Sequence, residues 1–156
     1  MEKQSVIHNT FVIERSFPKK PGRVFAAFAD PVAKQRWFVG DHKVETFKED
    51  FRVGGNERVL YRMDPKSPIG AALIRNEGSY LDIVPDQRIV MGSTMAVNDR
   101  LISAALLTIE LVETASGTDL VCTHQAAFFE GADGPQMREA GWRQLFAKLA
   151  EELSRP

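Results

Sequence analysis

A single cysteine, Cys122, stands in a chain of 156 residues. No disulfide can close within the chain, and no cysteine-based metal site is available. Histidine is nearly as scarce. His8, His42 and His124 show neither HExxH spacing nor a close acidic ligand cluster, so no metal site is expected. An excess of one charge sign is missing as well: Lys plus Arg number 20 against 21 Asp plus Glu, for a net charge of -1. That balance removes the broad basic footprint of a nucleic-acid or anionic-membrane binder. The longest apolar runs, such as Val24 to Ala29, fall far short of the ~20 residues a membrane helix needs. The opening MEKQSVIHNT has no apolar stretch of the kind a secretory leader carries. The expectation is a cytoplasmic protein with no membrane or nucleic-acid partner.

Signatures of cofactor and nucleophile chemistry are absent too. Neither GxGxxG nor GxxxxGK[ST] occurs, so no dinucleotide or phosphate-loop cofactor is expected, and no GxSxG elbow supports serine-hydrolase chemistry. Gly54-Gly55 is a lone pair between two candidate strands, read as a turn or bulge that needs positive φ.

What the chain does have is an ordinary globular balance, 44% apolar and 26% charged. With no repeat, low-complexity tract or linker, it reads as one domain over residues 1–156, with a core at about 10–153. Phe11 to Phe17 alternates as a strand that places Phe11, Ile13, Arg15 and Phe17 on one face. Pro21 opens a helix through Phe28. Asp30 can cap, and Pro31 can start, a second short helix to Phe38.

A meander follows, with candidate strands at Lys43 to Lys48, Glu57 to Met63, Ala72 to Val84, Arg88 to Met95, Ser103 to Glu113 and Thr118 to Ala126. Pro85-Asp86, Asn98-Asp99 and Ser116-Gly117 supply turns. From Pro135 a helix of ~19 residues carries Met137, Gly141, Leu145, Leu149 and Leu153 at intervals of four, with Trp142 and Phe146 widening the stripe. The order predicts an α+β fold in which one curved antiparallel sheet buries that helix.

Several residues pose a choice between structure and chemistry. His124 should face inward with Leu120 and Cys122. There it is either a core histidine satisfied by its neighbours or a group that orients a ligand. Arg15, turned inward by its strand phase, needs a partner, either a carboxylate such as Glu77 or Asp82 or a ligand. Alternation through Asn76, Gly78, Tyr80 and Asp82 puts these four on one face, where the Tyr80 hydroxyl can meet a ligand or sit at the rim. Trp37, Phe38 and Trp142 read as core. Glu49-Asp50 and the helix residues Arg138, Arg143 and Lys148 read as solvated. Cys122 reads as a small buried hydrophobe.

Segments along the chain resemble one family in the right order. Arg15-Ser16-Phe17-Pro18 is similar to its first strand, and Val24 to Pro31 with Trp37 matches a VFxAxxDPxxxxxW helix pair. Asp50 to Gly55 matches a DxRxGG hairpin, Gly78 with Tyr80 to Pro85 a later strand, and Ala140 to Leu145 a terminal helix with Gly-Trp. The family is the activator of heat-shock-protein-90 ATPase homologue-like group of the START-related (SRPBCC, Bet v 1-like) superfamily. The resemblance spans about Phe11 to Leu153. It implies a helix-grip fold with a cavity between the sheet and the terminal helix, and it assigns no catalytic residue.

Three readings follow from it. The first is a binder of a small hydrophobic or aromatic molecule. Gly78, Ala105, Ala126 and Gly141 would leave room for it. Phe11, Ile13, Tyr80, Leu107, Ile109, His124, Leu145 and Leu149 would line the cavity, and Arg15, Tyr80 and His124 would orient the ligand. The second is a chaperone-associated interaction domain. It rests on the family name and is weakened by the short stretch before the first strand, since the family's co-chaperones carry an additional amino-terminal domain. The third is a cyclase or hydrolase using the same cavity, for which His124 with Arg15 or Tyr80 is the one acid-base set available. An exposed sheet edge can also support a homodimer.

Overall fold

A computed structural model describes residues 5–156. The part of the leader reading that rests on Met1 to Gln4 lies outside the described residues. Ten elements follow one another: β1 (Ile7–Phe17), α1 (Pro21–Ala29), α2 (Pro31–Phe38), β2 (Lys43–Glu49), β3 (Asn56–Arg62), β4 (Leu73–Val84), β5 (Arg88–Val97), β6 (Arg100–Thr114), β7 (Gly117–Phe128) and α3 (Pro135–Leu153). Every predicted element is present, and the boundaries shift by a few residues at most. The strands form one antiparallel sheet in the order β1-β7-β6-β5-β4-β3-β2. Among the described residues no helix is long and apolar enough to cross a membrane.

Local chemistry explains the punctuation. Each helix opens on a proline, where the missing N–H is one the first turn leaves unpaired anyway. The Asp30 carboxylate caps α2 by accepting from the Val32 N–H at 2.9 Å. Between β5 and β6, Asn98 and Asp99 both take positive φ, as a tight two-residue hairpin requires. Gly55 has a different duty: a Cβ there would stand 2.1 Å from the Asp50 carbonyl oxygen, so glycine alone fits that turn.

The core joins the concave side of the sheet to the helices. Phe146, Leu149 and Leu153 of α3 pack in one buried cluster with Ile13, Phe17, Ile109, Leu120 and Cys122. Burying each large side chain contributes roughly 1.5–3 kcal/mol. Two polar ties hold the helices in place. The Trp37 indole N–H donates to the Ala27 carbonyl at 2.8 Å, joining α2 to α1. Arg36 donates to the Glu152 carboxylate at 3.0 and 3.2 Å, joining α2 to α3. That pairing, first among its causes, holds the Glu152 carboxyl below the usual carboxylate range.

One expectation about strand phase fails inside β4. The register slips between Tyr80 and Asp82, which leaves Leu81 as the extra residue of a β-bulge. Alternation restarts there. Asp82 shares a face with Arg88, to which it is paired at 2.7 Å, and not with Tyr80.

Candidate functional site

The carboxyl-terminal half of α3 packs tightly, but its first turns stand off the sheet and leave a cleft of about 310 Å³. Met137, Gly141, Trp142 and Leu145 wall it on the helix side, and Tyr61, Asn76, Ser93, Leu107 and His124 on the sheet side. The space beside Gly141 is open: a Cβ added there would meet nothing within 4 Å. A smaller inner chamber of about 60 Å³ lies deeper, between α2 and the sheet. It shares Phe38, Asn76, Ser93, Leu107 and Trp142 with the cleft.

The expected site residues divide accordingly. Leu107, His124, Gly141 and Leu145 line the cleft; Tyr80 and Ile109 line the chamber, with Leu107 common to both. Leu149, like Ile13, is part of the packed core and walls neither cavity. Arg15 also lies outside both. It pairs with Leu120, four residues along β7 from His124 and so roughly 13 Å away. Neither carboxylate proposed for it is near, because Glu77 is bridged to Arg58 and Arg75, and Asp82 to Arg88, on the other side of the sheet order. The Arg15 guanidinium instead sits 5.8 Å from the centre of the Phe17 ring. Of the small residues expected to make room, only Gly141 opens on the cleft. A Cβ at Gly78 would meet Met91 side-chain atoms at 3.2 Å, and Ala105 and Ala126 are not in its walls.

His124 is 2% exposed and stacks on Phe11, with ring centres 4.5 Å apart and planes 10° apart. Its Nδ1 is buried with no hydrogen-bond partner. Burial first, and the nearby Arg138 charge second, push the imidazole down to about 4, so it is neutral at pH 7. His124 and Tyr80 open on different cavities, and Arg15 on neither. The acid-base set expected of these three is not assembled.

Three side chains read as solvated or as core belong to the site. Arg138 is paired to Asp133 at 2.8 and 2.9 Å, donates to the Ser103 hydroxyl at 2.9 Å and covers the Phe128 ring, all at one end of the cleft. The loop before α3 brings Asp133 back onto the helix, a contact that helix periodicity alone does not encode. Phe38 and Trp142 are cavity walls rather than filled core. Burial and the nearby Lys148 charge lower the His42 imidazole at the opposite rim, and burial raises the Tyr61 hydroxyl beside it.

The largest omission from the sequence reading is a buried charged group beside the chamber. Lys34 of α2 reaches Glu57 and Glu49, and their side chains are 8%, 5% and 0% exposed. Glu49 is thus buried where solvent was expected, while its neighbour Asp50 does face solvent and pairs with Arg52. Burial is the main force raising the Glu49 carboxyl, to about 8; Lys34 opposes it and Glu57 adds to it. A signal existed: Lys34 shares the α2 face of Trp37 and Phe38, and Glu57 shares the β3 face of Val59 and Tyr61. Among the described residues no three His, Cys, Asp or Glu side chains form a metal-binding group.

Comparisons with known proteins agree with this architecture. The sequence model of the family described as activator of Hsp90 ATPase homolog 1-like protein matches residues 19–154. A solved structure of the Mll3558 protein from Rhizobium loti is 45% identical, with a TM-score of 0.85 over 96% of this chain and 99% of that one. An uncharacterized protein from Rhizobium leguminosarum is 32% identical, with a TM-score of 0.90 over 97% and 98% of the two chains. An AHSA1-like protein from Aeromonas hydrophila shares the fold at 18% identity, with a TM-score of 0.68 over 93% and 92%. The search of curated proteins finds no match.

Proposed function

Since the chain belongs to the activator of Hsp90 ATPase homologue 1-like family, whose fold wraps a curved sheet around a terminal helix, we propose that it binds a small, flat, largely apolar molecule in the cleft under α3. One observation carries this reading: about 310 Å³ of space stands open between α3 and the sheet, with aromatic and aliphatic walls. That volume is within the range of small-molecule sites, and so is the arrangement of a few convergent polar groups on an apolar surface. Trp142 and Leu107 offer flat apolar contact, and Asn76, Ser93 and the Arg138 end offer hydrogen bonds that orient a ligand. Leu145, His124 and Gly141 complete the contact surface. The neutral imidazole acts there as an aromatic wall. Residues 10–153 act in this reading as one binding unit.

Native mass spectrometry of the purified protein tests the proposal directly. The expected result is a non-covalent adduct that disappears on denaturation, together with saturable fluorescence of anilinonaphthalene sulfonate. A Gly141→Phe variant that folds and has lost both signals supports the cleft as their site. No adduct, together with no saturable dye binding by the folded protein, overturns it.

A further inference from the structure

The inner chamber ends on polar groups that the fold alone does not require. Lys34 is 6% exposed, and its ammonium donates to Glu57, to Glu49 at 3.4 Å and to the Tyr80 hydroxyl at 3.1 Å. An ammonium has three N–H groups, so all are committed and none is left for a ligand. Tyr80 differs. Its oxygen accepts from Lys34, and among the described residues its own O–H makes no hydrogen bond. The residue is 2% exposed and walls the chamber. A buried donor with no acceptor is unfavourable until something supplies one. A hydroxyl whose oxygen already accepts from an ammonium is also a stronger donor.

Tyr80 is held rigidly for such a role. Its backbone N–H donates to the Gly55 carbonyl at 3.0 Å, its carbonyl accepts from the Gly54 N–H at 2.9 Å, and the Phe51 ring meets its ring edge-on at 5.0 Å. The Gly54-Gly55 turn therefore clamps this strand residue from the neighbouring loop. The chamber, about 60 Å³, admits the end of a molecule whose body lies in the cleft. Charge narrows the choice of end. With burial keeping Glu49 protonated, the Lys34–Glu57 ion pair leaves no unpaired positive charge for an anionic head, while the Lys34 ammonium, 5.4 Å from the Phe38 ring centre and 5.6 Å from that of Tyr80, already fills the place of a cation. A neutral acceptor remains.

The geometry points to a carbonyl subsite: a flat ligand in the cleft sets a ketone or aldehyde oxygen on the Tyr80 O–H. This assignment rests on the cleft-binding proposal and adds the chemical class of the ligand. Acetylnaphthalene and ethylnaphthalene, substituted at the same ring carbon, differ only in that oxygen. Equilibrium dialysis of the wild-type protein should show the ketone bound about tenfold or more tightly than the hydrocarbon. The infrared stretch of the bound carbonyl should move to lower frequency than in an apolar solvent. Tyr80→Phe should remove the preference and leave ethylnaphthalene binding unchanged. If that variant does not fold, the wild-type pair and the infrared shift decide the question.

Equal binding of the two probes with an unshifted carbonyl overturns the subsite and leaves the cleft reading standing. Failure of both naphthalenes and of anilinonaphthalene sulfonate to bind overturns the cleft reading and the subsite with it.

Discussion

Gly141 offers the sharpest test of whether the space under α3 is a designed opening or ordinary loose packing. Glycine inside a helix is unfavourable by about 1 kcal/mol relative to alanine, because it gives up more backbone freedom on folding. At this position the new methyl group meets nothing within 4 Å, so no clash offsets the gain. Gly141→Ala should therefore stabilise the protein by about 0.5–1 kcal/mol and raise Tm by roughly 1–4 °C for a chain of this size. Gly141→Phe extends the argument to binding. A cavity of roughly 150 Å³ accommodates a benzene ring, so one phenyl group takes up about half of the 310 Å³ cleft. Binding of anilinonaphthalene sulfonate should weaken by about tenfold or more, equivalent to about 1.4 kcal/mol. Calorimetric melting and dye titration on the three proteins read both effects. A lower Tm for Gly141→Ala would show that something unseen occupies the space. Unchanged dye binding by folded Gly141→Phe would place the dye elsewhere, on the outer face of the sheet for example.

Other consequences of the structure can be measured in parallel. Gly55→Ala forces a Cβ to within 2.1 Å of the Asp50 carbonyl and should cost about 1–3 kcal/mol in urea unfolding; wild-type stability would refute the close approach. Phe146→Ala empties the centre of the α3 contact, where the side chain is 0% exposed, and should cost about 3–5 kcal/mol by the same assay. The pH profile of unfolding has a worked sign. Glu49, raised from 4.5 to about 8, gives the native chain an extra proton between those values, so it makes stability fall as pH rises through that window. His124, lowered from 6.5 to about 4, does the opposite between its two values. The two effects largely cancel below pH 6.5 and leave Glu49 alone above it, so the urea midpoint should fall from pH 6.5 to 8 and Glu49→Gln should flatten that fall. An unchanged slope in the variant would refute the assignment.

The fold was legible because its signals are local. Prolines at helix starts, Asn98-Asp99 and Gly54-Gly55 at turns, and period-two alternation from β5 to β7 each act over a few residues and agree with one another. The stripe on α3 named its buried face correctly from Phe146 to Leu153. What the stripe did not contain is where the helix leaves the sheet. Leu145 and Leu149 are one turn apart and alike in type, yet one walls the cleft and the other is sealed in the core. That difference depends on what faces them across the sheet, which the periodicity of a single helix does not report.

The errors in reading the polar residues share a cause. Asp82 was assigned to the wrong face because one extra residue, Leu81, reverses every later assignment on the strand. Glu49 and Arg138 were assigned to solvent, and Lys34 was passed over, because charge in a sequence is a preference for water, and that preference yields where partners converge from distant segments. Lys34 meets Glu49 and Glu57 across 15 and 23 residues of chain, a match no local window contains. Such a group is not needed for stability as such, since apolar residues of similar volume often serve a core equally well or better. Its burial therefore calls for a role at the surface it does present. That surface is the chamber wall, where the Lys34 ammonium polarises the Tyr80 hydroxyl. In the proposed subsite, the same charges that defeat a simple hydropathy reading thus set a donor able to tell a ligand's oxygen from its carbon.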